Sequence, residues 1–504
     1  MSIRFIPNDP DAGPFAPGIR TQAKRPNRPA GRAAFMFVDA VPQGTFAPGT
    51  PEFLFWQCRE AGLAAIDAWE AFAGPLTAWQ GNRKRLPLRQ DAGDDLNAYY
   101  DRDSFSFFHR TVASTTYFSG ASADVVAHEV GHGLLDALRP DLWDAAFLEA
   151  GAFHEAFGDC MAVLTALHDT ETRAKLLAAA PTLRKKNFVE STAENLSDAI
   201  RRLQPTHNAA EPRHAFNTFK YQIPETLPDS GGPGELIDEV HSFGMVFSGC
   251  FYDMLAAIFT GSSAQTEASL LAAARTAGSL LVAAAASAVI TPRFFQSVGR
   301  AMVLADEQQN GGANRALIRE AFGRHDIMLG ADALLAPTTV LDGAAPSSRE
   351  RARLGAPTRR DLSARLRLPP GARLSVGTTE LSGREFTHVV HTRRVPLGDV
   401  DKRLKGVSIQ AAVPVVIGDS GGRAAVMGSL PETVSTEREV HSFVASLLEH
   451  SQIEFGGRKP ATGRTRTTGR RRSGGGGGPL TRETHRVVPA GRDRQLVRVR
   501  FHCR

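Results

Sequence analysis

Apolar residues recur at helical spacing over long stretches of this chain, and short strand-like runs separate the first two of these stretches. The first helical stretch begins after Thr50, a residue type common at N-caps, and continues to Phe72. Two more begin near Asp124 and Gly151. The strand-like runs are Arg85 to Leu88, Asn97 to Tyr100 and Ser104 to His109. The pattern predicts a small sheet that precedes a mainly helical region.

The composition changes after residue 332, where helical periodicity ends. Before that point, the alanine-rich run Ala264 to Val289 is interrupted by Arg275 and by hydroxyl side chains, which favours a buried helix over a membrane span. Pro337 to Arg373 is rich in Pro, Arg, Ala and Ser and lacks periodicity, as linkers do. Further elements are predicted beyond it: strands at Leu374 to Val376, Phe386 to Arg393 and Val407 to Ile417, and a helix at Val440 to Leu448.

We predict an α+β fold with six parts along the chain. They are residues 1–49, an irregular leader rich in Pro and Arg; residues 50–150, an α/β lobe; residues 151–332, a helical lobe; residues 333–373, a linker; residues 374–456, a small α+β domain; and residues 457–504, a flexible basic tail. The length of 504 residues and the hydrophobic content of 42% allow two or three domains with sizeable cores.

The predicted tail is strongly basic, with 14 Lys or Arg residues against Glu483 and Asp493. Because the whole chain has a net charge of +6, the rest of the chain is acidic. Contact with nucleic acid or an acidic surface is one interpretation, although no recognition motif accompanies these residues. A solvated arm around the glycine spacer Gly474 to Gly478 is the other. The segment Gln495 to Cys503 alternates like a strand and could complete the preceding sheet.

The leader contains no apolar segment typical of a signal peptide or a membrane anchor. We therefore expect a protein without membrane contact that stays in the cytoplasm or leaves the cell by a non-standard route. The cysteines are far apart in sequence, and Cys58, Cys160 and Cys250 are interpreted as reduced core thiols. Reduced thiols agree with a reducing compartment.

Two histidines lie four residues apart in D-V-V-A-H-E-V-G-H-G-L-L-D-A-L, the stretch from Asp124 to Leu138. On a helix, His128 and His132 project from one face at consecutive turns, so both imidazoles can reach one metal ion. This is the H-E-x-x-H zinc motif, in which Glu129 is the candidate general base. An ordinary amphipathic helix that carries two histidines is the alternative.

The next helical stretch offers the third protein ligand that a catalytic zinc site needs. In G-A-F-H-E-A-F-G-D, from Gly151 to Asp159, Glu155 and Asp159 are four residues apart on one face. Glu155 could bind the metal while Asp159 hydrogen-bonds the far nitrogen of a ligand histidine and fixes its tautomer. Two solvated carboxylates on an ordinary helix are the alternative.

These motifs resemble those of the thermolysin-like zinc metallopeptidases. The second motif is similar to the family's G-x-x-N-E-x-x-S-D, with His154 in place of the asparagine and Gly158 in place of the serine. Asn97 to Tyr100 resembles the N-A-x-W edge strand, Val240 to Gly244 the V-H-x-x-x-G segment, and Asp198 to Arg201 the D-A-L-R stretch. The similar segments cover roughly residues 51–332.

The resemblance implies roles for further residues. Asn97 and Ala98 would hold an extended substrate, His241 would stabilise the tetrahedral intermediate, and Arg201 would bind a substrate carbonyl. Supporting carboxylates are expected behind the site from Asp159, Asp136 and Asp238, with Asp238 or Glu235 orienting the imidazole of His241.

The resemblance also implies the cofactor and the activity. Zn²⁺ on His128, His132 and Glu155 would activate a water molecule, and the chain would be a zinc metalloendopeptidase that cleaves internal bonds of a peptide or protein substrate. Asp124 matches a family calcium ligand, but Ala166 stands where the family has an acidic residue, so we expect no double calcium site. A catalytically impaired scaffold that binds partners through its C-terminal domain and basic tail is the alternative.

Overall fold

The computed structural model describes residues 2–288, 290–329, 374–381, 384–419, 436–455, 482–491 and 493–502. The helices are α1 Pro51–Ala73, α2 Ala123–Leu138, α3 Leu148–His168, α4 Thr170–Ala179, α5 Glu194–Leu203, α6 Val240–Thr260, α7 Glu267–Ser287, α8 Phe294–Asn310, α9 Arg315–Arg324 and α10 Thr436–Glu449. The strands are β1 Ser2–Phe5, β2 Arg20–Ala23, β3 Ala34–Phe37, β4 Arg85–Arg89, β5 Ala98–Tyr100, β6 Phe105–Phe107, β7 His109–Val112, β8 Thr115–Phe118, β9 Ser191–Thr192, β10 Arg213–His214, β11 Leu374–Leu381, β12 Arg384–Pro396, β13 Val407–Asp419, β14 Ile453–Glu454, β15 His485–Ala490, β16 Asp493–Arg498 and β17 Phe501–His502. This mixture of helices and small sheets confirms the predicted α+β class.

A five-stranded sheet supports the first lobe, in the order β17-β5-β6-β4-β3. Strand β5 pairs antiparallel with β6 on one side and with β17 on the other. The helix α1 packs beside this sheet and begins as its sequence predicts, because the side chain of Thr50 accepts a hydrogen bond from the backbone N–H of Phe53 at 3.2 Å and Pro51 occupies the first turn. The helix α2 packs against α1 and against β5 of this sheet.

Glycines allow α2 to lie close to its neighbours. A Cβ atom at Gly133 would lie 2.5 Å from the ring of Phe105, and one at Gly131 would lie 3.1 Å from the Cα of Gly158 on α3. A Cβ at Gly158 would in turn lie 2.6 Å from Nδ1 of His128. The helix propensity lost at these glycines is therefore offset by close packing of α2 between β6 and α3.

The helices α6 and α7 are long and apolar enough to span a membrane by length and composition. In this fold, however, 83% and 61% of their most apolar windows are buried inside the protein, and α6 packs along α3. Core helices that do not span a membrane have the same length, apolar composition and burial. The helix α7 occupies most of the run Ala264 to Val289, and its buried residues confirm the prediction of a buried helix there.

The predicted leader is part of the fold. Strands β1 and β2 form an antiparallel pair, and β3 adds to the five-stranded sheet in parallel with β4. Ile3, Phe5 and Phe35 are buried. The prediction of an irregular leader is therefore wrong, because four-residue strands between prolines and glycines are too short to show a period.

The C-terminal unit is a six-stranded sheet in the order β11-β12-β13-β16-β15-β14, accompanied by α10. Its strands β15 and β16 come from the region predicted to be a flexible tail, so residues 482–502 are folded. The prediction of a flexible tail is wrong for this part, because pairing with β13 and β14 orders residues that are polar and basic in sequence, whereas the strand predicted within Gln495 to Cys503 is present in β16 and β17. The predicted linker and the glycine spacer lie outside the described residues.

Candidate metal centre

Three predicted ligands converge between α2 and α3. Nε2 of His128 lies 3.3 Å from Oε2 of Glu155, and Nε2 of His132 lies 3.6 Å from the same oxygen. One ligand atom from each residue lies within 4.8 Å of the other two, and all three side chains are buried. Two imidazole nitrogens and one carboxylate oxygen are the donor set of a catalytic zinc site with an open fourth position.

Buried polar atoms at this point have no hydrogen-bond partner among the described residues. They are Nε2 of His132 and both carboxylate oxygens of Glu129. A buried polar atom without a partner costs about 1–3 kcal/mol, so such atoms indicate a ligand. A bound cation would satisfy the nitrogen, and a water molecule beside it would satisfy Glu129. The residues present therefore fit a zinc ion.

The outer nitrogen of His128 is held by a chain of charged groups. Its Nδ1 lies 2.9 Å from Oδ1 of Asp159, and Asp159 accepts hydrogen bonds from Nη2 of Arg213 at 2.9 Å and from its Nε at 3.1 Å. Burial opposes ionisation of Asp159, but Arg213 and His128 outweigh it and lower the pKa of Asp159 to about 2. The ionised carboxylate fixes the Nδ1–H tautomer of His128 and leaves Nε2 for the metal.

The outer nitrogen of His132 has a different partner. Its Nδ1 lies 3.0 Å from Nδ1 of His154, the residue that replaces the family's asparagine. Burial lowers the pKa of His132 to about 4 and the pKa of His154 well below its usual value, so both rings are neutral at neutral pH. If Nδ1–H of His132 donates to His154, Nε2 of His132 keeps its lone pair toward the metal position.

His241 lies at the start of α6 and faces the same centre. Its Nε2 lies 3.3 Å from Oε2 of Glu155, and its Nδ1 lies 2.8 Å from Oε1 of Glu239. Burial alone would lower the pKa of His241, but the charges of Glu155 and Glu239 outweigh it and raise the pKa to about 9. These two carboxylates therefore favour the imidazolium form of His241, in which both ring nitrogens donate, and Nε2 lies 2.5 Å from the carbonyl oxygen of His502.

The carboxylate that orients His241 differs from the prediction. Glu239 is the N-cap of α6, and its side chain accepts from the backbone N–H groups of His241 and Ser242 as well as contacting the imidazole. Asp238 lies instead toward α10, where its backbone oxygen accepts from Ser446, and Glu235 accepts from the N–H of Gly232. An N-cap side chain turns back over the first helical turn, which is where His241 lies.

The positions of Arg201 and Asp136 do not support the roles predicted for them. Arg201 is half exposed, and its guanidinium donates to the backbone oxygen of Ala210 at 3.0 Å. Asp136 accepts from the hydroxyl of Tyr100 at 2.9 Å and from Arg102 at 2.6 Å, so it joins α2 to β5 and does not orient a ligand histidine. Arg213, on the two-residue strand β10, contacts Asp159 behind the centre, and nothing in its local sequence distinguishes it.

The predicted substrate-binding residues lie at the start of β5, the strand next to β17 in the sheet. Ala98 begins β5, and Oδ1 of the buried Asn97 accepts from the N–H of Ala98 at 2.9 Å. The side of β5 away from β6 pairs with β17. A cavity of about 550 Å³ lies beside His241 and Arg213. Its other walls come from α5, the 229–237 loop, and residues 449–452 of the C-terminal unit.

A second group of carboxylates, which includes Asp124, is separate from the predicted zinc ligands. Oxygens of Asp9, Asp124 and Glu194 lie within 4.8 Å of one another. Asp124 already accepts from the N–H of Ala193 at 2.8 Å, and burial raises the pKa of Asp9 and of Glu194 well above the usual value. The absence of a double calcium site stays a prediction.

The comparison with known families concerns the region that contains this centre. Residues 100–333 match the family described as Fungalysin metallopeptidase (M36), and no curated protein matches the chain. The matched region includes α2, α3 and α6, which carry the ligands, Glu129 and His241. Residues 100–333 are therefore similar to metallopeptidases of the fungalysin type, a thermolysin-like zincin family, and the resemblance predicted from the sequence is confirmed.

Proposed function

We propose that this metallopeptidase is a zinc-dependent endopeptidase. The observation that carries the proposal is the convergence of His128, His132 and Glu155 on one buried point beside the two unpartnered oxygens of Glu129. Zinc held by these ligands would act as a Lewis acid and lower the pKa of a water molecule toward neutrality. The remaining chemistry belongs to side chains of this chain.

Glu129 is the proton carrier in this proposal. It is not one of the three ligands, so its carboxylate can accept the proton of the attacking water and deliver it to the leaving amine. Burial raises the pKa of Glu129 to about 8, and a cation nearby would lower that pKa again. A value near the working pH suits a group that must both accept and donate a proton.

His241 would stabilise the negative charge that develops on the scissile carbonyl oxygen. Its Nε2 lies 3.3 Å from Oε2 of Glu155, its ring direction is fixed by Glu239, and the charge of Glu239 favours the protonated imidazole. A donor that is already oriented costs no reorganisation when the charge appears. An extended peptide along β5, near Asn97 and Ala98, would bring its carbonyl to this donor.

The decisive experiment separates metal binding from proton transfer. Glu129→Gln keeps the shape of the side chain but cannot accept a proton, so hydrolysis of a quenched peptide should fall at least ~100-fold while zinc content stays unchanged. Glu171→Gln on α4, away from the centre, is the matched control. Near-normal hydrolysis by zinc-replete Glu129→Gln would refute the mechanism, and absence of hydrolysis both by the unmodified chain and by a variant that lacks residues 501–504 would favour the scaffold. The cytoplasmic location and nucleic-acid contact by the basic residues stay predictions.

A further inference from the structure

The outer edge of β5 is occupied by the chain itself. Strand β17 pairs antiparallel with β5, with Phe501 opposite Tyr100 and His502 opposite Tyr99. Addition of an extended strand to an exposed sheet edge is a common way for proteins to bind peptides. The segment Phe501–His502 therefore lies where an extended substrate would lie under the proposed function.

The backbone of this segment also contacts a catalytic side chain. The carbonyl oxygen of His502 lies 2.5 Å from Nε2 of His241, the donor proposed to hold the scissile carbonyl oxygen. The two imidazole rings stack, with 5.3 Å between their centroids. With this carbonyl in place, the donor of His241 is already used, and a substrate carbonyl cannot approach it.

The side chain of Phe501 covers the ligand His132 and its neighbour His154. Its ring stacks on His154 with 3.8 Å between centroids and on His132 with 4.9 Å between centroids. Trp143 contacts the ring edge-on, and the guanidinium of Arg498 lies 4.1 Å from the ring centroid on another side. Phe501 is only 1% exposed, so the segment is bound as a buried side chain and a paired strand together.

The C-terminal unit holds this segment in place. Only two residues separate β17 from β16, and the N–H of Val499 donates to the oxygen of Thr484 at 2.8 Å. Arg498 and Trp143 exchange hydrogen bonds, from Nε of Arg498 at 3.1 Å and from Nε1 of Trp143 at 3.4 Å. The segment is thus attached to a folded sheet that is itself docked on the peptidase region.

The same unit contacts the loop that carries Glu239. Nε2 of Gln452 donates to Oε1 of Glu239 at 3.3 Å, Oγ of Ser446 donates to the oxygen of Asp238 at 2.9 Å, and His450 contacts the oxygen of Asp229 at 3.0 Å. Residues of this unit also line the cavity beside His241. The C-terminal unit therefore positions β17 and closes one side of the cleft.

We propose that Phe501–His502 is an intramolecular, substrate-like inhibitor, held in the cleft by the C-terminal sheet. This inference rests on the proposed peptidase function and adds its regulation. A tethered segment has an effective concentration in the millimolar range, so even an intrinsic affinity of about 0.1 mM keeps the cleft roughly tenfold more often closed than open. Activation requires β17 to leave the edge of β5.

The first test is deletion of residues 501–504, which leaves β15 and β16 intact. The kcat/KM for a quenched peptide should rise at least ~tenfold while zinc content stays the same. Phe501→Asp should act in the same direction, whereas Phe15→Asp, at a phenylalanine that is 71% exposed, should have no effect. A folded, zinc-replete deletion protein with unchanged kcat/KM would overturn the proposal.

The second test does not depend on turnover. A labelled peptide with the sequence of residues 495–504, carrying Cys503→Ser so that no thiol binds zinc, is titrated into the Glu129→Gln protein with and without residues 501–504. The peptide should bind the deletion protein, fail to bind the full chain, and lose affinity when it carries Phe501→Asp. Equal binding to both proteins, or none to the deletion protein, would overturn the proposal.

The two tests distinguish this inference from the proposed function. Peptide binding to the deletion protein without hydrolysis by any form would support occupancy of the cleft and refute the peptidase mechanism. Hydrolysis that is lost in Glu129→Gln but is unaffected by the deletion would support the mechanism and refute inhibition. Cleavage within residues 495–504 by the active enzyme, seen by mass spectrometry of the intact chain, would make the segment a substrate and overturn the inhibitor assignment.

Discussion

Glu239 holds His241 from one residue before the helix on which His241 lies, with 2.8 Å between Oε1 of Glu239 and Nδ1 of His241. The same carboxylate caps the helix by accepting from the backbone N–H of His241. Glu239 is therefore both the cap of α6 and the group that orients His241. A substitution of Glu239 alters both the start of α6 and the charge of the imidazole. The contact with Gln452 adds the C-terminal unit to this arrangement.

Glu239→Gln is expected to lower kcat/KM and to move the alkaline limit of activity to lower pH. Glu239 raises the pKa of His241, so loss of its charge lets His241 lose its proton at lower pH. The measurement is the pH profile of kcat/KM in zinc-replete protein. Asp238→Asn is the control and should leave the alkaline limit where it is; a shift in the control alone would return the orienting role to Asp238.

His154→Ala is expected to weaken zinc binding about 10- to 100-fold, because it removes the partner of Nδ1 of His132. His154→Asn should restore most of the affinity, since an amide oxygen can accept the same hydrogen bond. Competition with a chelator measures both. Equal affinity of the alanine and asparagine variants would mean that the contact between His132 and His154 does not support the ligand.

Arg213→Met is expected to weaken zinc binding about tenfold or more, because Asp159 would keep a buried charge with one partner fewer. Arg201→Met should leave zinc affinity and kcat/KM within about twofold, as a half-exposed arginine bonded to Ala210 has little effect on the centre. Chelator competition and peptide hydrolysis, measured on both variants, show which of the two arginines supports the metal centre. The reverse order of effects would support the role that the sequence predicts for Arg201.

Asp238→Asn is expected to stabilise the protein at alkaline pH and not at acid pH. Burial raises the pKa of Asp238 from 3.8 to about 7, so the folded state retains a proton that the unfolded state releases. The stability that this group contributes is fully present below about pH 4 and is lost as pH rises through about 7, by roughly 1.4 kcal/mol per pKa unit.

Thermal unfolding at pH 4.5 and pH 8 measures this difference. The Tm of Asp238→Asn minus the Tm of the unmodified protein should be larger at pH 8 than at pH 4.5. The same difference for Asp399→Asn, at an exposed aspartate, should be equal at the two pH values. A constant Tm difference across this range would show that Asp238 ionises normally in the folded protein.

Local sequence was sufficient for much of the peptidase region. The N-cap at Thr50, the strands at β4 to β6 and the helix α7 follow from turn residues and periodicity within single elements. It was insufficient for β3 and β10, because strands of two to four residues contain too few positions to show alternation. In the predicted tail, the alternation within Gln495 to Cys503 indicated a strand, which is present in β16 and β17, whereas β15 was missed because its polar and basic surroundings resemble a solvated arm.

The chain alone determined the spacing of His128, Glu129 and His132, and of Glu155 and Asp159, because positions four apart on a helix share a face whatever surrounds them. The tertiary structure decided which other side chains surround these residues and contact them. Arg213, Glu239 and Phe501 come from other elements, and their contacts depend on how those elements pack. Spacing along a helix is a local property of the backbone, whereas the partner of a buried nitrogen or the occupant of a sheet edge depends on the whole fold.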